Sequence, residues 1–184
     1  MQLGFATFFL NRTNRSGILN GGIIGGRDQT GPWKIDARYN ADELIFRIES
    51  IAKMRRKIKL TRSDALALLR FGLPEWSRKT LIYLDPPYYE QGRELYYDFY
   101  EQGDHADLAK FVAAKMQSKF WIVSYDNVAP IKKLYSDFRS VVYNVGYTAR
   151  ERRTGKEVMF FSPTLETPDL VGPVRQVGKI KDAA

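Results

Sequence analysis

The sequence predicts a mixed α/β fold, a mostly parallel sheet with one antiparallel strand near its edge, and three observations carry the prediction. Leu81–Leu84 (LIYL) is a continuous apolar run bounded by turn signals, the pattern of a strand buried on both faces. Phe120–Ser124 (FWIVS) is a second such run, and a stretch of helical character lies between the two. Val141–Val145 and Val158–Phe161 flank the polar stretch TARERRTGKE and read as a terminal β-hairpin.

The other elements are taken in chain order. Gly17 to Gly31 (GILNGGIIGGRDQTG) is Gly-rich and reads as a loop or hairpin. Asp42 is the expected N-cap of a helix reaching about Arg56, with Leu44, Ile45, Ile48, Ile51 and Ala52 at helical spacing. Its basic end, Lys53, Arg55, Arg56 and Lys57, fits either the helix dipole or contact with phosphates. Ile58–Leu60 is a short strand candidate, and Thr61 or Ser63 is the expected cap of a helix over Asp64 to Phe71. Asp104 is the expected cap of a helix reaching Gln117, and Ile131–Tyr135 is a short helix. Beyond Ser162 the chain turns rich in Pro, Gly and Lys, so residues 164–184 are expected to be a disordered tail.

Composition narrows the function classes. With 184 residues, 44% of them hydrophobic, the chain can enclose one substantial core. No run of 18 apolar residues occurs, and MQLGFATFFLNR lacks the basic start and small-residue cleavage site of a signal peptide, so a cytoplasmic protein without a membrane partner is expected. The absence of Cys excludes a disulfide framework and a thiolate metal site. Lys and Arg number 29 against 21 for Asp and Glu, and the net charge of +8 favours a polyanionic partner over a purely solubilising role.

Ligands of open α/β sheets bind beyond the carboxyl ends of the strands, and Asp85 and Ser124-Tyr125-Asp126 both fall there. The stretch LDPPYY (Leu84–Tyr89) ends its strand on an acid and two prolines. Such an arrangement suits an exocyclic nucleobase amine, whose lone pair is delocalised into the ring. Two acceptors aimed at its two N–H bonds pull the nitrogen toward tetrahedral geometry and free the lone pair. Asp85 offers a carboxylate, and Pro86 offers a carbonyl on a backbone restrained by Pro87. Tyr88 can stack on the base, which must leave its duplex to arrive there. The plainer alternative is a rigid strand-to-loop turn.

On these residues the chain resembles the DNA adenine-N6 methyltransferases of the Dam-like type. The resemblance extends to FFLNRTNRSG near the start, LYYDFYEQGDHADLA after the motif, FWIVSYDN and GKEVMFF, and spans about residues 8 to 162. It implies an incomplete Rossmann-like class I methyltransferase sheet with a terminal β-hairpin and an N-terminal, mainly helical target-recognition segment. The corresponding ranges are 8–60 for recognition and 58–163 for the C-terminal part of the catalytic domain. It further implies S-adenosyl-L-methionine as methyl donor, double-stranded DNA as partner and no metal. Asp85 and Pro86, backed by Pro87, would hold the N6 amine, and Tyr88 would stack on the flipped adenine. Asp85 would also approach the methionine end of the cofactor, and Asp64 its adenine, although Asp64 also suits a first-turn acid. Arg12, Asn14, Arg15 and Asn20 would contact DNA, Arg15 as a wedge in the base stack. Arg150, Arg152 and Arg153 would clamp phosphates. His105 is expected at a helix start on the surface, and Trp33, Trp76 and Trp121 in the core or at docking positions.

Part of the family pattern is not found. No Phe-x-Gly-x-Gly loop follows a strand, no lysine-bearing segment precedes it, and GGIIGG lacks the strand-to-helix context. The expectation is an N-terminally truncated or split form, with Leu81–Leu84 and Phe120–Ser124 lacking neighbours on one side and little turnover unless completed by a separate N-terminal cofactor-binding fragment. A DNA-binding or partner-subunit fragment without catalysis is the alternative, and an RNA substrate a third.

Overall fold

The computed structural model describes residues 2–18, 21–90, 100–147, 153–166 and 175–176. The chain divides into two compact units, residues 1–62 with 148–152, and residues 63–147 with 153–184.

The second unit is mixed α/β. Its sheet has the order β1-β2-β4-β3-β5, with β1 Leu81–Leu84, β2 Phe120–Asp126, β3 Arg139–Tyr147, β4 Arg153–Phe161 and β5 Arg175–Gln176. Only β1 and β2 run parallel, and every other pairing is antiparallel. The sheet is less parallel than the sequence predicts because the hairpin supplies two of its strands. The hairpin's return strand β4, not β3, docks on β2. β2 therefore has a neighbour on each side, contrary to the expectation for Phe120–Ser124. β1 has a strand on one side alone among the described residues.

Both hairpin strands are longer than their apolar stretches suggest. Tyr147 pairs with Arg153, so Thr154 to Glu157 belong to β4 rather than to the connecting turn. Arg175–Gln176, within the stretch expected to be disordered, pair with Asn144 and Tyr143.

Side chains alternate across a strand, so the registers sort the sheet into two faces. On one face Ile82, Trp121, Val123, Tyr125, Val158 and Phe160 enter the core. Three helices fill the same core: α3 (Ala65–Gly72) through Leu69, α4 (Gln102–Lys115) through Leu108 and Val112, and α5 (Ala129–Leu134) through Ile131. The opposite face carries Leu81 and Tyr83 of β1, Ser124 and Asp126 of β2, Glu157 of β4 and Tyr143 of β3. Leu81 and Tyr83 are 55% and 54% exposed there, so β1 is not buried on both faces. It is half-buried because an edge strand opposite the helices meets solvent.

Local chemistry sets the helix ends. The Asp64 carboxylate accepts the Ala67 N–H at 2.9 Å, so Asp64 is the cap of α3 in place of Thr61 or Ser63. Glu101 caps α4, and Asp104 sits three residues in, accepting the Glu101 N–H at 2.8 Å. α4 stops at Lys115, short of Gln117, and Trp121 Nε1 donates to the Met116 carbonyl at 3.0 Å. That bond ties the end of α4 to β2. Lys119 Nζ likewise donates to the carbonyls of Leu73 and Trp76, closing the segment after α3. A Cβ at Gly72 would meet the Trp76 ring at 2.3 Å, which is why the indole can lie across the end of this helix.

The first unit holds α1 (Gln2–Thr13), a 3-10 turn at Arg15–Gly17, α2 (Ala41–Lys53) and a second 3-10 turn at Arg55–Lys57. The Gly-rich stretch is closed by a bridge between Asn14 and Ile23, with Ile24 N–H donating to Thr13 O at 3.0 Å. Gln29 fastens the residues between Ile24 and Ile35: its Nε2 donates to the carbonyls of Ile24 and Gly26, and its Oε1 accepts the Ile35 N–H. Gly25 has φ +86°, and a Cβ there would strike the Trp33 carbonyl at 2.7 Å. α2 is capped by Asn40, whose side chain accepts the Glu43 N–H, and not by Asp42. Of the apolar residues on α2, Leu44 is buried while Ile45, Ile48 and Ile51 are exposed. Ile58–Leu60 forms no strand. Trp121 is in the core of the second unit and Trp76 packs against that core, but Trp33 is exposed. No helix among the described residues is long and apolar enough to cross a membrane.

Candidate functional site

The parallel pairing of Leu84 with Val123 brings the carboxyl ends of β1 and β2 together. Asp85 leaves β1 there, on the face opposite the helices. Ser124 Oγ donates to Asp85 Oδ1 at 2.8 Å and lies 2.8 Å from Tyr83 OH. A serine hydroxyl carries one proton, and that proton goes to Asp85, so the Tyr83 hydroxyl donates to Ser124. The order of donation is Tyr83 to Ser124 to Asp85. Ser124 is buried while Asp85 is exposed, so the carboxylate is oriented from beneath and open above. Among the described residues no donor reaches Asp85 Oδ2 or the Pro86 carbonyl.

The loop after β1 is anchored at two further points. Asp126, the last residue of β2, accepts the backbone N–H of Tyr89 at 2.9 Å and of Glu90 at 3.1 Å. Tyr88 OH donates to Glu157 Oε1 at 2.6 Å, and Tyr143 OH donates to Glu157 Oε2 at 2.6 Å. Pro86, Pro87, Tyr88 and Tyr89 are all half-buried. Burial, followed by the hydrogen bond to Glu157 and its charge, raises the Tyr143 pKa, with smaller contributions from Tyr83 and Asp85. Three acids, Asp85, Asp126 and Glu157, and the hydroxyls of Tyr83, Tyr88 and Tyr143 thus meet on one face of four adjacent strands.

His105 lies against the other side of this region and is 1% exposed, so the expected surface role is wrong. Its Nδ1 is 2.9 Å from Tyr125 OH, and its ring packs against Tyr89, Tyr100 and Tyr125. Nε2 is buried and has no hydrogen-bond partner among the described residues. Burial lowers the His105 pKa, and the charges of Asp126 and Asp104 oppose that shift only in part. It is a neutral core histidine under the Tyr89 loop.

The other sequence-predicted residues are placed unevenly. Asp64 caps α3, a structural use of its carboxylate, and its charge raises the pKa of Tyr100 after burial has done most. In the first unit, Arg15 is exposed on its 3-10 turn, next to Ser16 with φ 59°. Arg12 is half-buried, with Nε donating to the Arg38 carbonyl at 2.9 Å. Asn14 is buried, in a bridge to Ile23. Lys53, Arg55, Arg56 and Lys57 are all exposed. Arg153 opens β4 opposite Tyr147, while Asn20, Arg150 and Arg152 lie outside the described residues. Among the described residues no three His, Asp or Glu side chains gather as a metal-binding group would require.

Sequence reasoning missed Tyr83, Tyr143 and Glu157. Glu157 falls inside TARERRTGKE, where charge density reads as turn. The available signal was its place one residue before the apolar stretch VMFF, in strand alternation with Met159 and Phe161. No family model matches the chain, and no curated protein matches it.

Proposed function

We propose that this chain is the amine-holding part of a site-specific DNA adenine-N6 methyltransferase of the Dam-like type. The single observation that carries the reading is Asp85, a carboxylate at the carboxyl end of a strand, oriented by Ser124 and open on its outer oxygen. Beside it stand a Pro86 carbonyl that no donor reaches among the described residues and a Tyr88 ring anchored through its hydroxyl. Asp85 Oδ2 and Pro86 O accept the two N6 protons of a flipped adenine, which localises the nitrogen lone pair, and Tyr88 stacks on the ring. S-adenosyl-L-methionine supplies the methyl group. Asp85, with an oxygen open, fits the methionine end of such a ligand, whereas Asp64 already serves as a helix cap. The remaining cofactor-binding groups come from a segment outside these residues, and the open side of β1, with Leu81 and Tyr83 exposed, supports docking there.

The test is methyl transfer from labelled S-adenosyl-L-methionine to duplex DNA, with a cofactor-binding part of the same family supplied in trans. Asp85→Ala abolishes labelling, and labelling unchanged in that variant refutes the assignment.

A DNA-binding fragment without catalysis is favoured by one observation of its own, the exposed basic run Lys53, Arg55, Arg56 and Lys57 in the same unit as exposed Arg15. Duplex affinity then falls steeply with salt even where no methyl transfer occurs. An affinity indifferent to salt removes both readings, and competition by structured RNA against duplex DNA separates the two nucleic acids.

A further inference from the structure

Glu157 is a poor choice for a sheet position unless something needs a carboxylate there. It is 9% exposed, within a row that runs Asp126, Glu157, Tyr143 across β2, β4 and β3. Burying an ionised carboxylate costs several kcal/mol unless its oxygens are supplied with donors. Here each oxygen receives a tyrosine hydroxyl at 2.6 Å, the length of a charge-assisted O–H···O⁻ bond. The two donors differ in kind. Tyr143 is a buried strand residue, 4% exposed, and its position is set by the sheet. Tyr88 belongs to the loop after β1, whose next two residues, Tyr89 and Glu90, donate their backbone N–H groups to Asp126.

We propose that Glu157 is a positioning residue that fixes the Tyr88 ring next to Asp85 by holding its hydroxyl against the rigid Tyr143 anchor. The proposal rests on the reading of Tyr88 as the surface that stacks on the base. A tyrosine ring pivots about two torsions, and the backbone restrains neither of them directly. A second attachment at the far end of the ring removes that freedom before a ligand arrives, which spares the ordering cost on binding. Asp126 and Glu157 are cross-strand partners, so one row of the sheet fixes the loop twice, by its amides and by its aromatic ring.

The test uses the full chain labelled with 3-fluorotyrosine, the Tyr88 fluorine signal being identified by its loss in Tyr88→Phe. In Glu157→Gln, whose amide has one acceptor and two donors in place of the two acceptors, the Tyr88 signal shifts and narrows as the ring gains motion. In Tyr143→Phe, which leaves the Tyr88–Glu157 bond formed, the Tyr88 signal moves less. An unchanged position and width of that signal in Glu157→Gln overturns the proposal.

The functional arm measures quenching of 2-aminopurine riboside, which reports stacking. Glu157→Gln weakens binding about fivefold or more when Tyr88 is present and less than about twofold in the Tyr88→Phe background, the non-additivity expected of two residues acting through one hydroxyl. Equal losses in both backgrounds mean that Glu157 acts otherwise, and they overturn the proposal. If Tyr88→Ala leaves the quenching of the wild-type chain unaltered, the stacking role of Tyr88 falls, while the fluorine signal still decides what Glu157 does.

Discussion

Ser124 Oγ stands 2.8 Å from both Asp85 Oδ1 and Tyr83 OH, and so joins an exposed carboxylate to an exposed tyrosine through a buried serine. The serine cannot be replaced by an apolar residue of similar size without stripping both neighbours of a partner. Ser124→Ala is expected to cost about 1 kcal/mol, more than an exposed hydroxyl would, because it removes two hydrogen bonds at a buried atom. Tyr83→Phe costs less, since its ring is half open to water. The double variant falls short of the sum of the single losses by roughly 0.5 kcal/mol or more. Chemical denaturation of the four proteins measures this, and strict additivity means that the three groups do not act as a chain.

Asp126 holds two backbone amides of the loop that carries Tyr88. Asp126→Asn keeps the shape but leaves one amide facing an NH2 group instead of an oxygen. Hydrogen bonds to a charged group are worth about 1.5–3 kcal/mol when sheltered, and here one is part-buried and the other exposed, so the lower end applies. Hydrogen exchange at Tyr89 and Glu90 should therefore quicken by about one to two orders of magnitude, while exchange within β2 and β4 stays as it was. Protection that survives at both amides contradicts this anchoring.

His105 makes a pH prediction whose sign is set by its burial. Its folded pKa is lowered from 6.5, so above that value the ring is neutral in both the folded and the unfolded chain and contributes no slope. As pH falls below 6.5 the unfolded chain takes up a proton that the folded chain refuses, and stability drops until the folded pKa is passed. Removing the group removes the slope. His105→Gln should unfold with less dependence on pH between about 6.5 and 5 than the wild type, although it is less stable at pH 7 for want of the ring contacts. Thermal midpoints across that range decide it, and parallel curves for the two proteins count against a buried neutral histidine.

The bounds of β1 and the motif at Asp85 were legible because an apolar run, an acid and two prolines are local signals. The faces of the sheet were not, since a strand of four apolar residues looks the same whether one face or both are covered. Leu81 and Tyr83 are exposed only because β1 is an edge, and edges belong to topology. The order of the hairpin strands was hidden for the same reason: nothing in VVYNV or VMFF says which docks on β2. His105 was legible and misread. It stands three, four and seven residues before Leu108, Ala109 and Val112, on the buried stripe of α4. Reading Asp104 as the cap put His105 at an exposed helix start and away from that stripe. Glu157 was masked by its charged neighbours Arg152, Arg153 and Lys156, a composition that favours turns until a cross-strand partner such as Tyr143 is known.

The open side of β1 yields the last prediction. An edge strand presents unpaired N–H and C=O groups, and natural proteins blunt such edges with charge, proline or a cover. Among the described residues no strand covers this side of β1, whose own four residues carry neither charge nor proline, and Leu81 and Tyr83 extend the apolar character of the edge. Lysine at either position would keep the β1–β2 pairing, because both side chains project from the face opposite the core. Leu81→Lys should therefore fold like the wild type, Tyr83→Lys should lose only what the Tyr83–Ser124 hydrogen bond contributes, and both should differ in what they bind. Sedimentation velocity at rising concentration is expected to show less self-association for both variants. If the cofactor-binding part docks on this edge, methyl transfer in trans also falls by about tenfold or more in Leu81→Lys, a loss on the order of 1.4 kcal/mol in docking. That variant leaves Asp85, Pro86 and Tyr88 untouched, so a loss of transfer with adenine-analogue binding intact locates the defect at the strand edge. Transfer at the wild-type rate puts the docking surface elsewhere on the chain.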